Sequence, residues 1–283
     1  MRPQPSLRQC SHGNMETNPE TKPETKMRPS AVGGGEEVAA AEAATALRRS
    51  NRRQWVPMLA GDFRVIRRDL RGHGGSGEPG PSYPWSFDNL VRDFSGFCDA
   101  LKLKDFHLLG ESTGGMLGVG YAATRPNQLR SLTLCATPKT IGRAGQKLFA
   151  FGRESWQKAL EEMGSEGWAR ALLSRPGTFP STDPAQIEWA IHEFGRARTA
   201  SLIGYSGVIS TTDITALLSD VKRPVLILAP TRSAATSIAE QDSIASALLQ
   251  SQLVYVDGAG HEIYVDRAEK CVAGLRNFLY GFS

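Results

Sequence analysis

The sequence predicts an α/β fold in which a mostly parallel sheet is flanked by helices. Two observations carry this prediction, besides an ordinary globular composition with 40% hydrophobic and 22% charged residues. From Trp55 onward, short β-type runs alternate with longer amphipathic runs. One interval, from Pro138 to about Leu217, has helical patterns without a convincing strand. Alternating strands and helices build parallel sheets with helices on both faces, and a helical interval of this size would form a lid over the strand ends.

The elements follow from the periodicity of the apolar residues. Residues 1–45 are rich in Pro, Glu, Lys, Gly and Ala, so we expect a disordered leader, and residues 46–283 are expected to form the domain, with the lid at about 138–217. Ser86 is placed to cap the helix that follows it. The predicted strands are FRVIRRDL, FHLLG, SLTLCA, PVLILAP and QLVYVDG, and VDRAEKCVAGLRNFLYGF is a closing helix.

Composition excludes several function classes. The net charge of +4 is mild, and the four arginines between Leu47 and Trp55 are interpreted as a solvated face, so no nucleic-acid partner is expected. No apolar run reaches the roughly 18 residues of a membrane span, and the N-terminus has no apolar signal core. The four cysteines form no metal or disulfide pattern. We therefore expect a soluble, cytoplasmic protein without metal or cofactor that acts on a small molecule; its oligomeric state stays open.

The segment GESTG matches the pattern G-x-S-x-G around Ser112. In this pattern a serine at a sharp strand-to-helix turn is exposed at the top of the sheet. A predicted strand precedes the motif and a predicted helix follows it until about Pro126, which is the setting that the pattern requires. Ser112 is therefore the candidate nucleophile.

A serine hydroxyl needs a neighbouring base to become nucleophilic. His261 follows the last predicted strand on a Gly-containing loop that leads into the final helix. The other four histidines fall in the leader, a loop, a strand and a lid helix, at His12, His73, His107 and His192. His261 is therefore the candidate base.

With these residues in place, the chain from about Trp55 to the end resembles the α/β-hydrolase superfamily. Arg71, Gly72, Gly74 and Ser76 in RGHGGS match its R-G-x-G-x-S pattern, and GESTG and GAGH match its serine and histidine loops. Within the superfamily the chain is similar to small-molecule hydrolases with a helical cap, such as the enol-lactone hydrolase group. The resemblance implies a serine hydrolase for a small ester, lactone or related acyl compound, with the Thr113 N–H in the oxyanion hole.

The sequence departs from the superfamily pattern at two places. The strand that ends in a His-Gly loop, a source of one oxyanion donor, has no counterpart before Trp55, so the N-terminal strands are predicted to be truncated or replaced. The acid that orients the histidine is expected near Arg232 or Ser233, but the first carboxylates there are Glu240 and Asp242. Either Glu240 reaches His261, or the site is a Ser-His dyad. Asp213, Asp257 and Glu262 are outside candidates.

Two alternatives compete with the hydrolase hypothesis. The stretch GHGGSG, from Gly72 to Gly77, satisfies the dinucleotide fingerprint G-x-G-x-x-G, but Pro79, Pro81 and Pro84 prevent the helix that should follow it. The second alternative is a catalytically impaired member of the superfamily that binds a small ligand or a partner. The absent acid and the absent His-Gly loop motivate it.

Overall fold

The computed structural model describes residues 29–32, 36–41, 51–181, 183–258 and 260–281. These residues form one seven-stranded sheet and ten α-helices. The strands are β1 (Pro29–Val32), β2 (Glu36–Ala41), β3 (Phe63–Arg68), β4 (Phe106–Glu111), β5 (Leu129–Cys135), β6 (Val225–Pro230) and β7 (Ser251–Val256). The helices are α1 (Asn51–Leu59), α2 (Phe87–Ala100), α3 (Thr113–Thr124), α4 (Arg143–Ala150), α5 (Trp156–Leu173), α6 (Pro184–Gly195), α7 (Thr199–Ile209), α8 (Ile238–Ala247), α9 (Ile263–Asp266) and α10 (Ala268–Tyr280).

The sheet has the order β1-β3-β2-β4-β5-β6-β7. β1 runs antiparallel to β3, and every other neighbouring pair is parallel. The predicted mostly parallel sheet with flanking helices is thus confirmed. The carboxyl ends of the parallel strands meet at one edge, where the connecting loops build the site described below.

Two strands fall within the segment for which the sequence predicts a disordered leader. β1 and β2 occupy 29–32 and 36–41, so the prediction of truncated or replaced N-terminal strands is corrected for this part of the chain, which supplies two strands. The segment EEVAAA has few β-branched side chains, and its place in the sheet comes from backbone pairing with β3 and β4 on both sides. Residues 1–28, and the range 42–50 that leads from β2 towards α1, lie outside the described residues.

Neighbouring residues of β4 belong to two separate hydrophobic cores. Leu108 packs in the core that contains Phe94 and Tyr121 of helices α2 and α3. Leu109 packs in the core that contains Trp55 and Leu275 of helices α1 and α10. Successive side chains of a strand point to opposite faces, so this alternation places helices on both faces of the sheet. The predicted cap is also present, because the Ser86 Oγ accepts a hydrogen bond from the Asn89 N–H at 3.2 Å.

Four helices, α4 to α7, lie between β5 and β6; they are called the insertion helices here. Their aromatic side chains form a core around Trp168, whose ring stacks on Trp156 with centroids 5.6 Å apart. The Trp168 Nε1–H donates to the Phe149 carbonyl at 2.9 Å, so this buried donor is satisfied. In the part of the chain that the structure describes, no helix is both long and apolar enough to cross a membrane.

Candidate active site

Ser112 stands at the sharp turn between β4 and α3. Its backbone has φ 50° and ψ −126°, a conformation that L-residues rarely adopt. The Ser112 N–H donates to the Cys135 carbonyl at the end of β5, and its carbonyl accepts from the Gly115 N–H, at 2.8 and 2.9 Å. These two hydrogen bonds hold a strained residue in place, an arrangement that concentrates at functional sites.

The glycines of GESTGG make this turn sterically feasible. A Cβ atom on Gly110 would lie 2.5 Å from the Gly115 Cα and 2.7 Å from its nitrogen. A Cβ atom on Gly115 would lie 1.9 Å from the Thr137 Oγ1. The start of α3 therefore packs directly on the end of β4, and no larger residue fits between them.

His261 lies opposite Ser112, although 149 residues separate the two along the chain. Its Nε2 is 2.9 Å from the Ser112 Oγ, which is hydrogen-bond distance. The backbone N–H of His261 donates to the Gly177 carbonyl at 3.0 Å. Gly260 permits this approach, because a Cβ there would come within 2.8 Å of that carbonyl oxygen. A backbone contact from beyond α5 thus helps to fix the histidine loop, and sequence patterns gave no signal for Gly177.

The other ring nitrogen of His261 faces a hydroxyl group. Its Nδ1 lies 2.9 Å from the Ser233 Oγ, on the loop that follows β6. Among the described residues, no carboxylate contacts this nitrogen. Ser233 thus occupies the place at which the superfamily pattern puts the acid.

Glu240 lies elsewhere, which corrects the alternative in which it reaches His261. Its Oε1 accepts a hydrogen bond from the Lys139 N–H at 2.9 Å, so the carboxylate anchors the chain just before the insertion helices. Burial raises the pKa of the Glu240 carboxyl. The backbone N–H groups that hydrogen-bond to it act in the opposite direction and lower the pKa. Glu240 is the third residue of α8, and this position directs its side chain towards the 139–140 backbone rather than the loop of Ser233.

The remaining acidic candidates have other partners or another environment. Asp213 accepts from the backbone and hydroxyl of Thr215, and Asp257 accepts from the Thr231 hydroxyl and pairs with Arg232. Glu262 lies beside His261 in sequence but is buried. Burial raises the pKa of the Glu262 carboxyl well above its usual value, as do the nearby charges of Glu111 and Asp266.

Burial also decides the protonation of His261. It lowers the pKa of the imidazole to about 4. The ring is therefore neutral at pH 7, and among the described residues no carboxylate at Nδ1 offsets the cost of charging it. Thr113 is the first residue of α3, where backbone N–H groups have no partner within the helix. The Thr113 Oγ1 accepts a hydrogen bond from the Tyr205 hydroxyl of α7 at 3.1 Å.

The site opens into a small cavity under the insertion helices, with a volume of ≈ 60 Å³. Ser112, Thr113 and His261 lie on one side of it. The other side is mostly aliphatic and aromatic, with Leu148, Phe149, Trp156, Leu160, Trp168 and Phe194. No group of three or more His, Cys, Asp or Glu side chains in the described ranges is arranged to hold a metal ion.

A family model for the alpha/beta hydrolase fold matches residues 45–268 of the chain. This match spans the sheet from β3 onward, the Ser112 turn, the insertion helices and the His261 loop. The chain belongs to the α/β-hydrolase family. The dinucleotide-binding alternative has no structural support, because the helix after Gly77 begins only at Phe87.

The chain is also similar to individual proteins of known name or structure. The 3-oxoadipate enol-lactonase 2 of Acinetobacter baylyi is 23% identical over 212 residues, which cover 73% of this chain and 75% of the relative. The solved enol-lactonase of Burkholderia xenovorans superposes with a TM-score of 0.76 at 24% identity, covering 91% of this chain and 98% of its own. A thermophilic esterase from Thermogutta terrifontis superposes with a TM-score of 0.77 at 23% identity, covering 93% and 96%. At these identities the likeness of the solved structures shows the fold alone.

Proposed function

We propose that this α/β-hydrolase cleaves a small ester, lactone or related acyl compound through Ser112 and His261. The observation that carries the proposal is the 2.9 Å contact between the Ser112 Oγ and the His261 Nε2, at a strained strand-to-helix turn. A hydroxyl in contact with a neutral imidazole, beside a cavity, is the arrangement in which a serine can be activated as a nucleophile. The names of the lactonase and esterase relatives agree with an acyl substrate.

The reaction follows from the positions of these atoms. The Ser112 Oγ attacks the substrate carbonyl carbon, and its proton passes to the His261 Nε2 when the ring carries its own proton on Nδ1. The imidazolium then protonates the leaving oxygen, and an acyl-serine remains. A water molecule gives a proton to the Nε2, attacks the acyl carbon, and returns the serine hydroxyl and a carboxylic acid.

The Thr113 N–H supports the developing oxyanion, because it opens helix α3 beside the nucleophile. The positive end of the helix dipole adds to this effect. The superfamily pattern places a second donor in the loop after the strand that precedes α1, and the corresponding range 42–50 lies outside the described residues.

Covalent labelling with a fluorophosphonate probe tests the proposal. The purified protein is expected to form one adduct, which mass spectrometry locates on Ser112. Ser112→Ala should abolish the adduct and His261→Ala should slow its formation about 100-fold, because the base is lost. Ser246→Ala is the matched control, since this exposed serine on α8 donates to the Asp242 carbonyl of its own helix. A folded protein that stays unlabelled would instead support the ligand-binding alternative, which the Ser233 hydroxyl at Nδ1, in the place of an acid, favours.

The cavity favours a short, uncharged acyl group. It has a volume of ≈ 60 Å³ and a mostly apolar lining. Among the described residues, no lysine or arginine lines it, and the insertion arginines Arg196 and Arg198 pair with Glu193 and Glu78. A substrate carboxylate would therefore be buried there without a partner, at a high cost in free energy.

We expect p-nitrophenyl acetate to be cleaved with a kcat/KM at least about tenfold above that of p-nitrophenyl octanoate, because the eight-carbon acyl chain overfills the cavity. A p-nitrophenyl ester of succinic acid should react no better than the octanoate. Leu148→Ala enlarges the cavity, so it should raise the kcat/KM for p-nitrophenyl octanoate relative to that for p-nitrophenyl acetate. Leu249→Ala is the control, since Leu249 is 63% exposed and does not line the cavity. Equal rates for all chain lengths would contradict this substrate class.

A further inference from the structure

The Ser233 Oγ is surrounded by hydrogen-bond donors. The backbone N–H groups of Ala235 and Thr236 both donate to it at 3.0 Å. The Thr236 hydroxyl also donates to it at 3.2 Å, and the His261 Nδ1 lies 2.9 Å away. A serine hydroxyl has one proton and two lone pairs. Because a backbone N–H has no alternative to donating, the two amides occupy both lone pairs.

The remaining capacity of Ser233 is therefore its proton. One acceptor lies within reach among the described residues, the His261 Nδ1 at 2.9 Å. A neutral imidazole always presents one unprotonated nitrogen that accepts. The Thr236 hydroxyl, by contrast, has a proton of its own to donate.

We propose that Ser233 donates its proton to the His261 Nδ1 and so holds the resting imidazole in the tautomer that carries its proton on Nε2. In this tautomer the Nε2–H points at the Ser112 Oγ and cannot remove the serine proton. Ser233 is thus a positioning residue that keeps the nucleophile unactivated. The inference rests on the proposed function only for its effect on rate, since the tautomer is a property of the ring itself.

A carboxylate at this position would have the opposite effect. An ionised Asp has only acceptors, so it fixes the proton on Nδ1 and leaves Nε2 free to accept. With Ser233, the productive tautomer requires the serine proton to turn away from the Nδ1 and the crowded Oγ to accept a further hydrogen bond from the Nδ1–H. In a Ser-His-Asp hydrolase, the wrong histidine tautomer lowers kcat by about 10⁴, which sets the upper limit of the attenuation expected here.

The first test measures the tautomer directly, without reference to catalysis. The full chain is labelled with ¹⁵N-histidine, and a two-bond ¹H–¹⁵N correlation spectrum is recorded at about pH 7.5, where the ring is neutral. The signal that is absent from His261→Ala identifies the ring. We expect an unprotonated Nδ1 and a protonated Nε2 in the wild type. A protonated Nδ1 in the wild type would overturn the proposal, whether or not Ser112 reacts with any probe.

Two variants of Ser233 then connect the tautomer to reactivity. Ser233→Asp should move the proton to Nδ1, raise the rate of fluorophosphonate labelling at least about tenfold, and shift the acid limb of the rate to higher pH. Ser233→Ala removes the donor, so labelling should not slow. A tenfold loss in Ser233→Ala would show that Ser233 is a productive acceptor, which contradicts the proposal. Ser237→Ala is the control for damage to this loop, because Ser237 caps α8 and does not contact His261.

These outcomes separate the inference from the proposed function. If neither the wild type nor folded Ser233→Asp labels at Ser112, the hydrolase proposal fails while the NMR result on the ring still decides the tautomer. If Ser233→Asp does not fold, the wild-type spectrum and the labelling rate of Ser233→Ala decide the question.

Discussion

Gly110→Ala is expected to destabilise the protein by about 3 kcal/mol or more and to abolish labelling of Ser112. The new Cβ would lie 2.5 Å from the Gly115 Cα and 2.8 Å from the Gly114 carbonyl oxygen. Both neighbours are backbone atoms of the first turn of α3, so the helix start itself must move. That movement would carry Ser112 away from the His261 Nε2. Urea unfolding measures the first effect, and probe labelling below the unfolding transition measures the second.

Gly207→Ala is the matched control for this experiment. Gly207 lies inside α7, and nothing is within 4 Å of the position that its Cβ would take. Alanine has the higher helix propensity by up to about 1 kcal/mol, so this variant should be as stable as the wild type or more stable. An unfolding midpoint for Gly110→Ala equal to that of the wild type would show that α3 does not pack on β4 as closely as described.

His261→Ala is expected to lower kcat/KM for a short ester about 100-fold, which is the contribution of a positioned general base. The control is His192→Ala, because His192 is exposed on α6 and does not line the cavity. Loss of activity in both variants to the same degree would mean that the effect is not specific to the ring beside Ser112.

The pH dependence of the wild type provides an independent check of His261. Burial lowers the pKa of the ring to about 4, and the neutral form is the base. The rate should therefore be level at neutral pH and decrease as the pH falls through about 4, where the ring takes up a proton. Circular dichroism at each pH verifies that the chain stays folded. An acid limb centred near 6.5, the ordinary pKa of histidine, would show that the ring is solvated rather than buried.

Much of the candidate site could be predicted locally. A strand, a glycine-rich motif and a helix in succession identify Ser112, because the steric need for small residues at a sharp turn is written directly in the chain. His261 was found from its place after the last strand. Glu240 could not be excluded in this way, since its partner, the backbone N–H of Lys139, lies 101 residues away.

The sequence by itself determined the mostly parallel sheet with flanking helices, the long helical interval and the two residues Ser112 and His261. Periodicity and turn chemistry act between near neighbours, so these features are visible in a linear pattern. Only the tertiary structure decided that EEVAAA pairs between β3 and β4, and that a hydroxyl rather than a carboxylate faces the His261 Nδ1. Both depend on hydrogen bonds between segments far apart in the chain, and the geometry of such bonds exists only after the sheet has brought those segments together.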